Sequence, residues 1–296
     1  LLNKNRQLLR FQLAKGAHSG NLLHDILEHS DFTIAYEASS DWQASIKWPL
    51  VKYGELPPSF TESDLMAWLD EIVLSPLIRE PLINNSTPNH PLSDGALCAE
   101  SFCLADIGIQ QTLRESEFYF PMEDADINAL SNLLTDHRNS ALSDPNNTYG
   151  KNHVRLPSYQ SLKGMMHGFI DLVFEKNGKF YVCDYKSSHL GDDFIDYDYF
   201  SLRNNIEQNH YDLQYLIYSL ALHRYLQQNV TDYNAEQHFG GIYYLYLRGM
   251  TNDEKYDGKG VYFRKIFVEE LMRLDNIFSG ENKLKDENIA TTQREL

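Results

Sequence analysis

One dipeptide, Asn177-Gly178, constrains the fold of this 296-residue chain more than any other feature. It separates two β-rich runs, Met166–Glu175 and Lys179–Ser187, and Asn-Gly between such runs is the strongest short signal for a β-hairpin. A two-residue turn pairs the flanking lysines, and counting outward from them places Asp171 directly opposite Asp184. The sequence therefore predicts two facing carboxylates on adjacent strands.

The chemistry of this hairpin follows from the alternation of side chains along a strand. Lys186 lies two residues after Asp184 and so points to the same face. Like charges directly opposite each other destabilise a sheet, and the apolar neighbours of both aspartates limit relief by solvent. Two solutions stay open at this point: one aspartate takes up a proton, or a divalent cation lies between the two carboxylates. Oxygen ligands with incomplete protein coordination suit Mg²⁺ or Mn²⁺.

The charge balance restricts how the chain could bind nucleic acid. It has 26 Lys and Arg against 42 Asp and Glu, a formal net charge of −16. This excludes a simple basic DNA coat, so DNA would have to be bound through a local site, a metal or partner subunits. The sequence also lacks a G-x-x-x-x-G-K-[ST] phosphate loop, which predicts no ATP site.

Other features indicate a cytoplasmic fragment of a larger protein. The longest apolar stretch, near Tyr215–Leu222, is far shorter than a membrane span, and no signal peptide is visible. The chain begins with Leu1, which we interpret as the start of an excised piece. Cys98, Cys103 and Cys183 are too few for a disulfide framework or a four-thiolate cluster and are interpreted as ordinary residues of a reducing compartment.

The spacing of apolar and turn-forming residues divides the chain into regions. We expect a mostly helical region with loops over 1–160, a catalytic core over 161–280 and a polar C-terminal tail over 281–296. In the first region Leu22, Leu23, Ile26 and Leu27 recur at helical spacing and predict an early helix. The same region includes an expected helix over 61–76 capped by Thr61, a strand over Glu115–Phe120, a helix over Ile127–Leu134, a loop over 84–95 and a long connection from Arg138 to Ser161. The second includes helices near His210–Gln227 and Val268–Phe278, and a strand over Gly241–Leu247.

The pattern Asp…Asp-x-Lys across a hairpin resembles the PD-(D/E)xK nuclease superfamily. The similarity is closest to RecB-like nuclease domains, through segments in the same order: Gly168-Phe169-Ile170-Asp171-Leu172-Val173-Phe174, Asp184-Tyr185-Lys186-Ser187, Tyr211-Asp212-Leu213-Gln214-Tyr215 and His238-Phe239-Gly240-Gly241. The resemblance implies an α/β fold with a restriction-endonuclease-like core, a mixed central sheet flanked by helices. It also implies a Mg²⁺-dependent deoxyribonuclease of the exodeoxyribonuclease V type.

The resemblance also assigns roles to individual residues. The implied metal ligands are His24, Asp171, Asp184 and the backbone carbonyl of Tyr185, and Lys186 is the implied catalytic lysine. Three further site residues are implied, namely Gln214 and Tyr218, which match a Gln-x-x-x-Tyr motif, and Glu117, which resembles an acidic residue near the family's site.

The implied cofactor is Mg²⁺, with Mn²⁺ as a substitute, and no iron–sulfur cluster is expected because the required cysteines are missing. The implied partners are DNA, preferably single-stranded, the helicase region of a RecB-like subunit, and RecC and RecD subunits, with RecA as a further candidate and no membrane.

Two alternatives remain at the level of sequence. The chain could be a non-catalytic docking or recombinase-loading domain on a nuclease scaffold, although a scaffold has no need to keep the repulsive pair Asp171 and Asp184. It could instead be a stand-alone, structure-specific endonuclease. Arg248, at the end of a hydrophobic strand, has two interpretations of its own: a phosphate contact or a structural ion pair.

Overall fold

A computed structural model describes residues 4–33, 39–54, 56–77, 101–140, 153–156 and 162–280 of the chain. The expected loop at 84–95, most of the expected connection from Arg138 to Ser161, the tail 281–296 and Cys98 lie outside these residues. Within the described part, no helix is both long and apolar enough to cross a membrane.

The strands form one five-stranded sheet in the order β1-β2-β3-β4-β5. Their bounds are Thr112–Ala125 for β1, Leu162–Lys176 for β2, Lys179–Lys186 for β3, Phe239–Tyr246 for β4 and Val261–Arg264 for β5. The sheet is mixed and has helices around it, which confirms the expected α/β, restriction-endonuclease-like core. Strand β5 was not predicted, because four residues are too short for a periodic signal.

The β2–β3 hairpin has the predicted register. Lys176 pairs with Lys179, and the antiparallel pairing continues to Leu172 opposite Cys183, one step before the two aspartates. The turn residues Asn177 and Gly178 have φ values of 54° and 75°. Positive φ at both central residues is the requirement of a type I′ turn, which explains why this dipeptide determines the register.

The longer helices are α2 (Ala17–His29), α3 (Ser39–Tyr53), α4 (Glu62–Leu74), α5 (Ile127–Ser140), α6 (Tyr199–Gln208), α7 (Tyr211–Asn229) and α9 (Val268–Phe278); α1 (Leu9–Gln12) and α8 (Ala235–His238) are single turns. The start of α4 is as predicted, since the Asp64 carboxylate accepts a hydrogen bond of 2.7 Å from the Thr61 N–H. Helices α3 and α6 were not predicted.

The residues group into two compact units. Unit 1 consists of residues 1–116, 171–209 and 241–265, and unit 2 consists of residues 117–170, 210–240 and 266–296. Each unit is thus assembled from three separate stretches of the chain. The division expected from the sequence, into a region before residue 160 and a catalytic core after it, stays a prediction.

Unit 1 contains a large apolar core. Helices α2, α3 and α4 contribute Leu23, Trp42 and Trp68, which are buried together with side chains of β2, β3 and β4. The strand residues in this core include Leu172, Phe174, Tyr181, Tyr243 and Leu245. Burial of so many large apolar groups holds α2 against the sheet, and α2 carries His24.

Unit 2 has its own helical core. Helix α9 packs against both α5 and α7. At their centre the buried His137 ring places Nδ1 2.6 Å from a carboxylate oxygen of Glu270 and Nε2 2.6 Å from the Tyr215 hydroxyl. Both polar edges of this ring are therefore satisfied, as burial of an imidazole requires.

Candidate active site

The end of the β2–β3 hairpin brings the first two predicted residues together. Asp171 and Asp184 occupy facing strands just beyond the last recorded ladder pair. One Asp171 carboxylate oxygen accepts a 2.7 Å hydrogen bond from the backbone N–H of Tyr185. This bond orients the carboxylate and keeps it close to Asp184 on the neighbouring strand.

Asp184 is a buried carboxylate whose charged form is disfavoured. Its side chain is only 4% exposed, and its Oδ1 lies 2.5 Å from the Lys186 Nζ. Burial, followed by the negative charge of Asp171, raises the Asp184 pKa to about 7, although Lys186 opposes the shift. The Lys186 ammonium also lies 4.8 Å from the centre of the Tyr244 ring. The ion pair with Lys186 thus offsets part of the predicted repulsion between the two carboxylates, and a bound cation would offset the rest.

His24 reaches the same place from helix α2. Leu22, Leu23, Ile26 and Leu27 are buried at the predicted helical spacing, which turns the intervening His24 towards the hairpin. Its Nδ1 lies 3.4 Å from Asp171 Oδ2. Burial lowers the His24 pKa, but the hydrogen bond and charge of Asp171, with help from Asp184, outweigh burial and the net pKa is raised. The ring is therefore held by the carboxylates that would share a metal with it.

Glu115 joins this group from the beginning of β1. It has a φ of 45°, a left-handed conformation that is uncommon outside glycine. One ligand atom each of His24, Glu115 and Asp171 lie within 4.8 Å of one another. Burial, then the charge of Asp171, raises the Glu115 pKa. The raised pKa shows that the charged form of Glu115 is disfavoured here, and the left-handed backbone adds conformational strain at the same residue.

The neighbouring Arg114 explains how Glu115 is held there. Its guanidinium Nη1 donates to the carbonyls of Leu27 (2.7 Å), Glu28 (3.1 Å) and Ser30 at the C-terminal end of α2. These carbonyls have no partner inside the helix, so the arginine caps α2 and ties the start of β1 to it. His24 and Glu115 are thereby fixed with respect to each other.

The donor set fits a divalent cation. One imidazole and two carboxylates, those of His24, Glu115 and Asp171, provide the oxygen-rich, negatively charged environment that Mg²⁺ and Mn²⁺ prefer. The predicted ligand Asp184 is not one of these three, but its charge interacts with that of Asp171. A second cluster on α2 is formed by the half-buried Asp25 and Glu28 and the exposed His29. There Asp25 is already paired with Lys52 at 3.0 Å.

Three predicted site residues belong to unit 2. Glu117 is exposed and accepts hydrogen bonds from Tyr119 and, at 3.0 Å, from His167. On α7, Gln214 donates a 2.8 Å hydrogen bond to the Tyr218 hydroxyl, so this predicted pair is in direct contact. The acid found with His24 and Asp171 is Glu115, which precedes Glu117 by two residues. The sequence signal for Glu115 is the pair of acids in Glu115-Ser116-Glu117, of which the resemblance points only to Glu117.

Arg248 follows neither of its two sequence interpretations. The residue is buried, and its guanidinium donates to backbone carbonyls of Arg10, Leu13, Ala14 and Ser187 over 2.6–2.9 Å. It therefore ties the N-terminal segment to the residue that follows β3. The pattern of carbonyl partners could not be read from the sequence, because these partners lie 61 residues and 234–238 residues away along the chain.

Comparison with known proteins defines the class to which this fold and site belong. The family model described as the PD-(D/E)XK nuclease superfamily matches residues 2–294. The chain belongs to the PD-(D/E)XK nuclease superfamily.

Among curated proteins, the chain is similar to RecBCD enzyme subunit RecB of several bacteria. It is 34% identical to the Haemophilus influenzae protein over 94% of this chain and 20% of the relative, and 30% identical to the Escherichia coli protein over 91% of this chain and 20% of the relative. The Mycobacterium tuberculosis protein is 32% identical over 80% of this chain and 21% of the relative. The chain thus spans about a fifth of the length of these relatives.

Proposed function

We propose that this chain is a divalent-metal-dependent DNA nuclease module that works as part of a RecBCD-type helicase–nuclease. The observation that carries the proposal is the convergence of His24, Glu115 and Asp171 within 4.8 Å, next to the buried Asp184–Lys186 pair. The likeness to RecB subunits supports DNA as the substrate. The reaction is hydrolysis of a phosphodiester bond.

Each residue has a distinct task in this proposal. Asp171 and His24 hold the cation, with Asp184 and the Tyr185 carbonyl as further ligands and Glu115 as the acid that completes the set. A bound Mg²⁺ or Mn²⁺ would neutralise charge on the phosphate and activate a water molecule. The Lys186 ammonium, held by Asp184 at 2.5 Å, orients that water or stabilises the negative charge that develops on the phosphate in the transition state.

The contribution of unit 2 is proposed from its hydrogen bonding. Gln214 and Tyr218 hold each other on one face of α7, and a polar pair on a rigid helix suits the positioning of a sugar or phosphate. Glu117 is kept ionised, since the hydrogen bonds from Tyr119 and His167 lower its pKa. We assign Glu117, Gln214 and Tyr218 to substrate positioning and residues 1–280 to one functional domain.

The proposed setting follows the resemblance to RecB subunits. The module would receive single-stranded DNA from the helicase region of the same subunit, in contact with RecC and RecD, in the cytoplasm, with RecA as a candidate partner. A net charge of −16 favours such delivery over capture of DNA from solution. ATP binding and an iron–sulfur cluster have no part in the proposal.

The direct test is cleavage of a labelled single-stranded oligonucleotide by the purified chain. Cleavage should require Mg²⁺ or Mn²⁺, stop with EDTA and be lost in Asp184→Ala. Asp257→Ala is the matched control, because this aspartate is exposed and lies in the same unit. Cleavage that persists in EDTA, or an active Asp184→Ala variant, would contradict the proposal.

A further inference from the structure

Unit 2 contains a groove that shares only Glu117 with the proposed nuclease site. Its volume is about 630 Å³, and it is lined by residues 117–121 and 123 of β1 together with residues of α7 and α9. Two of its aromatic side chains are unusually exposed for their size, Tyr119 at 59% and Tyr225 at 49%. Apolar surface of this kind on a groove wall is typical of a binding surface.

One wall of the groove is an edge strand. In the described sheet β1 has a single neighbour, β2, so the other side of its backbone carries N–H and C=O groups that the sheet does not pair. Pro121 lies within this strand, and proline within a sheet is confined to edges and bulges. The unpaired edge of the strand ends at Glu123, because the carbonyl of Glu123 is in close contact with Gly280. Among the described residues, the part of this unpaired edge that borders the groove covers about residues 117–122.

One aromatic side chain of this wall, Tyr119, is held on two sides by its neighbours. The Tyr119 and His167 rings are stacked with centroids 4.6 Å apart and planes within 6°. Glu117 accepts hydrogen bonds from both side chains. A ring held on its face and at its polar edge loses little conformational entropy when a ligand contacts it.

The charge of the groove selects the ligand. Its lining has three carboxylates, on Glu117, Glu123 and Asp275, against one guanidinium, on Arg224. Arg224 pairs with Asp275 at 2.5 Å and stacks over the Phe120 ring, so these two charges offset each other, and Glu117 and Glu123 give the groove its net negative charge. Glu123 is exposed and forms no ion pair with a described residue. Such a surface repels the phosphates of DNA and attracts cationic side chains.

We propose that this groove binds an extended segment of a partner protein rich in lysine or arginine, which adds to β1 as a sixth strand. Main-chain hydrogen bonds to residues 117–122 would supply affinity. Cationic side chains would pair with Glu123 and lie over the Tyr119 ring, which the alternation of side chains along β1 places on the same face. The proposal goes beyond DNA hydrolysis and does not rest on it.

The test measures fluorescence anisotropy of a labelled acetyl-(Lys-Val)₄-amide peptide with the 296-residue chain at low salt. The peptide should bind, and its counterpart with glutamate in place of lysine should not. Glu123→Lys should weaken binding about three- to tenfold, the range for reversing one rim charge. Glu236→Lys is the matched control, since Glu236 is exposed in the same unit and does not line the groove. Glu123→Gln serves as a milder variant if Glu123→Lys fails to fold, and it should weaken binding less.

Two further measurements separate this mode of binding from others. N-methylation of every second peptide residue removes the hydrogen-bond donors of one strand edge. One of the two possible methylated peptides should therefore lose binding. Equal binding by both, no binding of the parent peptide, or an unchanged affinity in Glu123→Lys would overturn the proposal. Oligodeoxythymidine that displaces the peptide and binds the Glu123→Lys variant more tightly than the wild type would also overturn the proposal. The groove would then be a nucleic-acid-binding surface.

Discussion

At the scale of single residues, Asp171 and Asp184 show how the candidate active site reduces the stability of the fold. Two carboxylates close together and largely buried raise the Asp184 pKa to about 7, and Glu115 is raised in the same direction by burial and by Asp171. Groups whose charged form is disfavoured in the native state reduce stability at neutral pH. Such strain is common where binding of a ligand later relieves it.

Replacing one of these carboxylates should therefore stabilise the metal-free chain. We expect Asp171→Asn to raise the melting temperature in EDTA at pH 8 by about 2–4 °C, the shift that ~1 kcal/mol produces in domains of 150–250 residues. The amide can still accept the Tyr185 N–H, while the repulsion with Asp184 is removed. Thermal melts with EDTA and with Mg²⁺ measure this, and only the wild type should gain stability from Mg²⁺.

The sign of this effect depends on pH. An aspartate whose native pKa is raised contributes stability below its unfolded pKa near 3.8, and this is lost as the pH rises through about 7. The benefit of Asp171→Asn should therefore disappear towards pH 5, where Asp184 is protonated and a charged His24 loses its partner. A lower melting temperature at pH 8, or an undiminished response to Mg²⁺, would contradict the assignment.

Lys186 should affect turnover more than metal affinity. We expect Lys186→Ala to lower the cleavage rate about 10²–10³-fold, the usual cost of removing one group that stabilises transition-state charge. Single-turnover cleavage and calorimetric titration with Mn²⁺ separate the two properties. The titration should be carried out above pH 8. Loss of the 2.5 Å ion pair with Lys186 makes Asp184 easier to protonate at lower pH. Near-normal cleavage by the Lys186→Ala variant would show that Lys186 has no part in the reaction.

At the scale of elements, the site depends on how a helix and the strands are anchored. Arg114 caps α2, and Arg248 ties the N-terminal segment to the end of β3. Strand β4 begins with a similar restriction at Gly241, whose φ is 127°. A Cβ at this position would lie 2.7 Å from the backbone carbonyl oxygen of Arg264 on β5.

Gly241→Ala should therefore weaken the β4–β5 pairing. Both the left-handed backbone and the clash with a backbone atom oppose a side chain, and we expect a loss of about 1–3 kcal/mol in the free energy of unfolding. Urea denaturation measures it. Gly108→Ala is the control, because its Cβ would make only ordinary contact, 3.7 Å from Gln111. Equal stability of both variants would show that β4 can shift to accept the methyl group.

At the scale of the whole molecule, charge and connectivity are the dominant features. The chain carries a net charge of −16, while the residues able to bind a cation are concentrated in unit 1. The average field of the molecule therefore opposes DNA, and only local contacts favour it. This makes binding sensitive to ionic strength and to delivery of the substrate by a partner.

The isolated chain should cut a closed single-stranded circle faster than a blunt linear duplex. Nothing in the proposal unwinds a helix, so ATP should not change either rate. Cleavage of the circle should fall steeply with salt, because few phosphate contacts oppose the repulsion. The comparison is made on both substrates with and without ATP. Rapid digestion of the duplex that depends on ATP would require a motor in this chain and would contradict the proposal.

Local sequence determined the parts of the fold that local physics governs. The Asn177-Gly178 turn has few allowed conformations, so it defined the register up to Leu172 and Cys183 and with it the pairing of the aspartates. Helical spacing of apolar residues similarly predicted α2 and α4, because burial of one face is a periodic property. The resemblance to PD-(D/E)xK nucleases, confirmed by the match over residues 2–294, added His24.

Tertiary structure alone decided which acid joins His24 and which groups Arg248 binds. The choice of Glu115 over Glu117 depends on a left-handed residue in β1 and on the capping of α2 by Arg114, 84–87 residues away along the chain. The Arg248 guanidinium binds carbonyls about 60 and about 240 residues away. Hydrogen bonds to distant backbone groups leave no periodic trace in the sequence, since a carbonyl is present at every position. Only the folded chain selects which of them are near enough to bind.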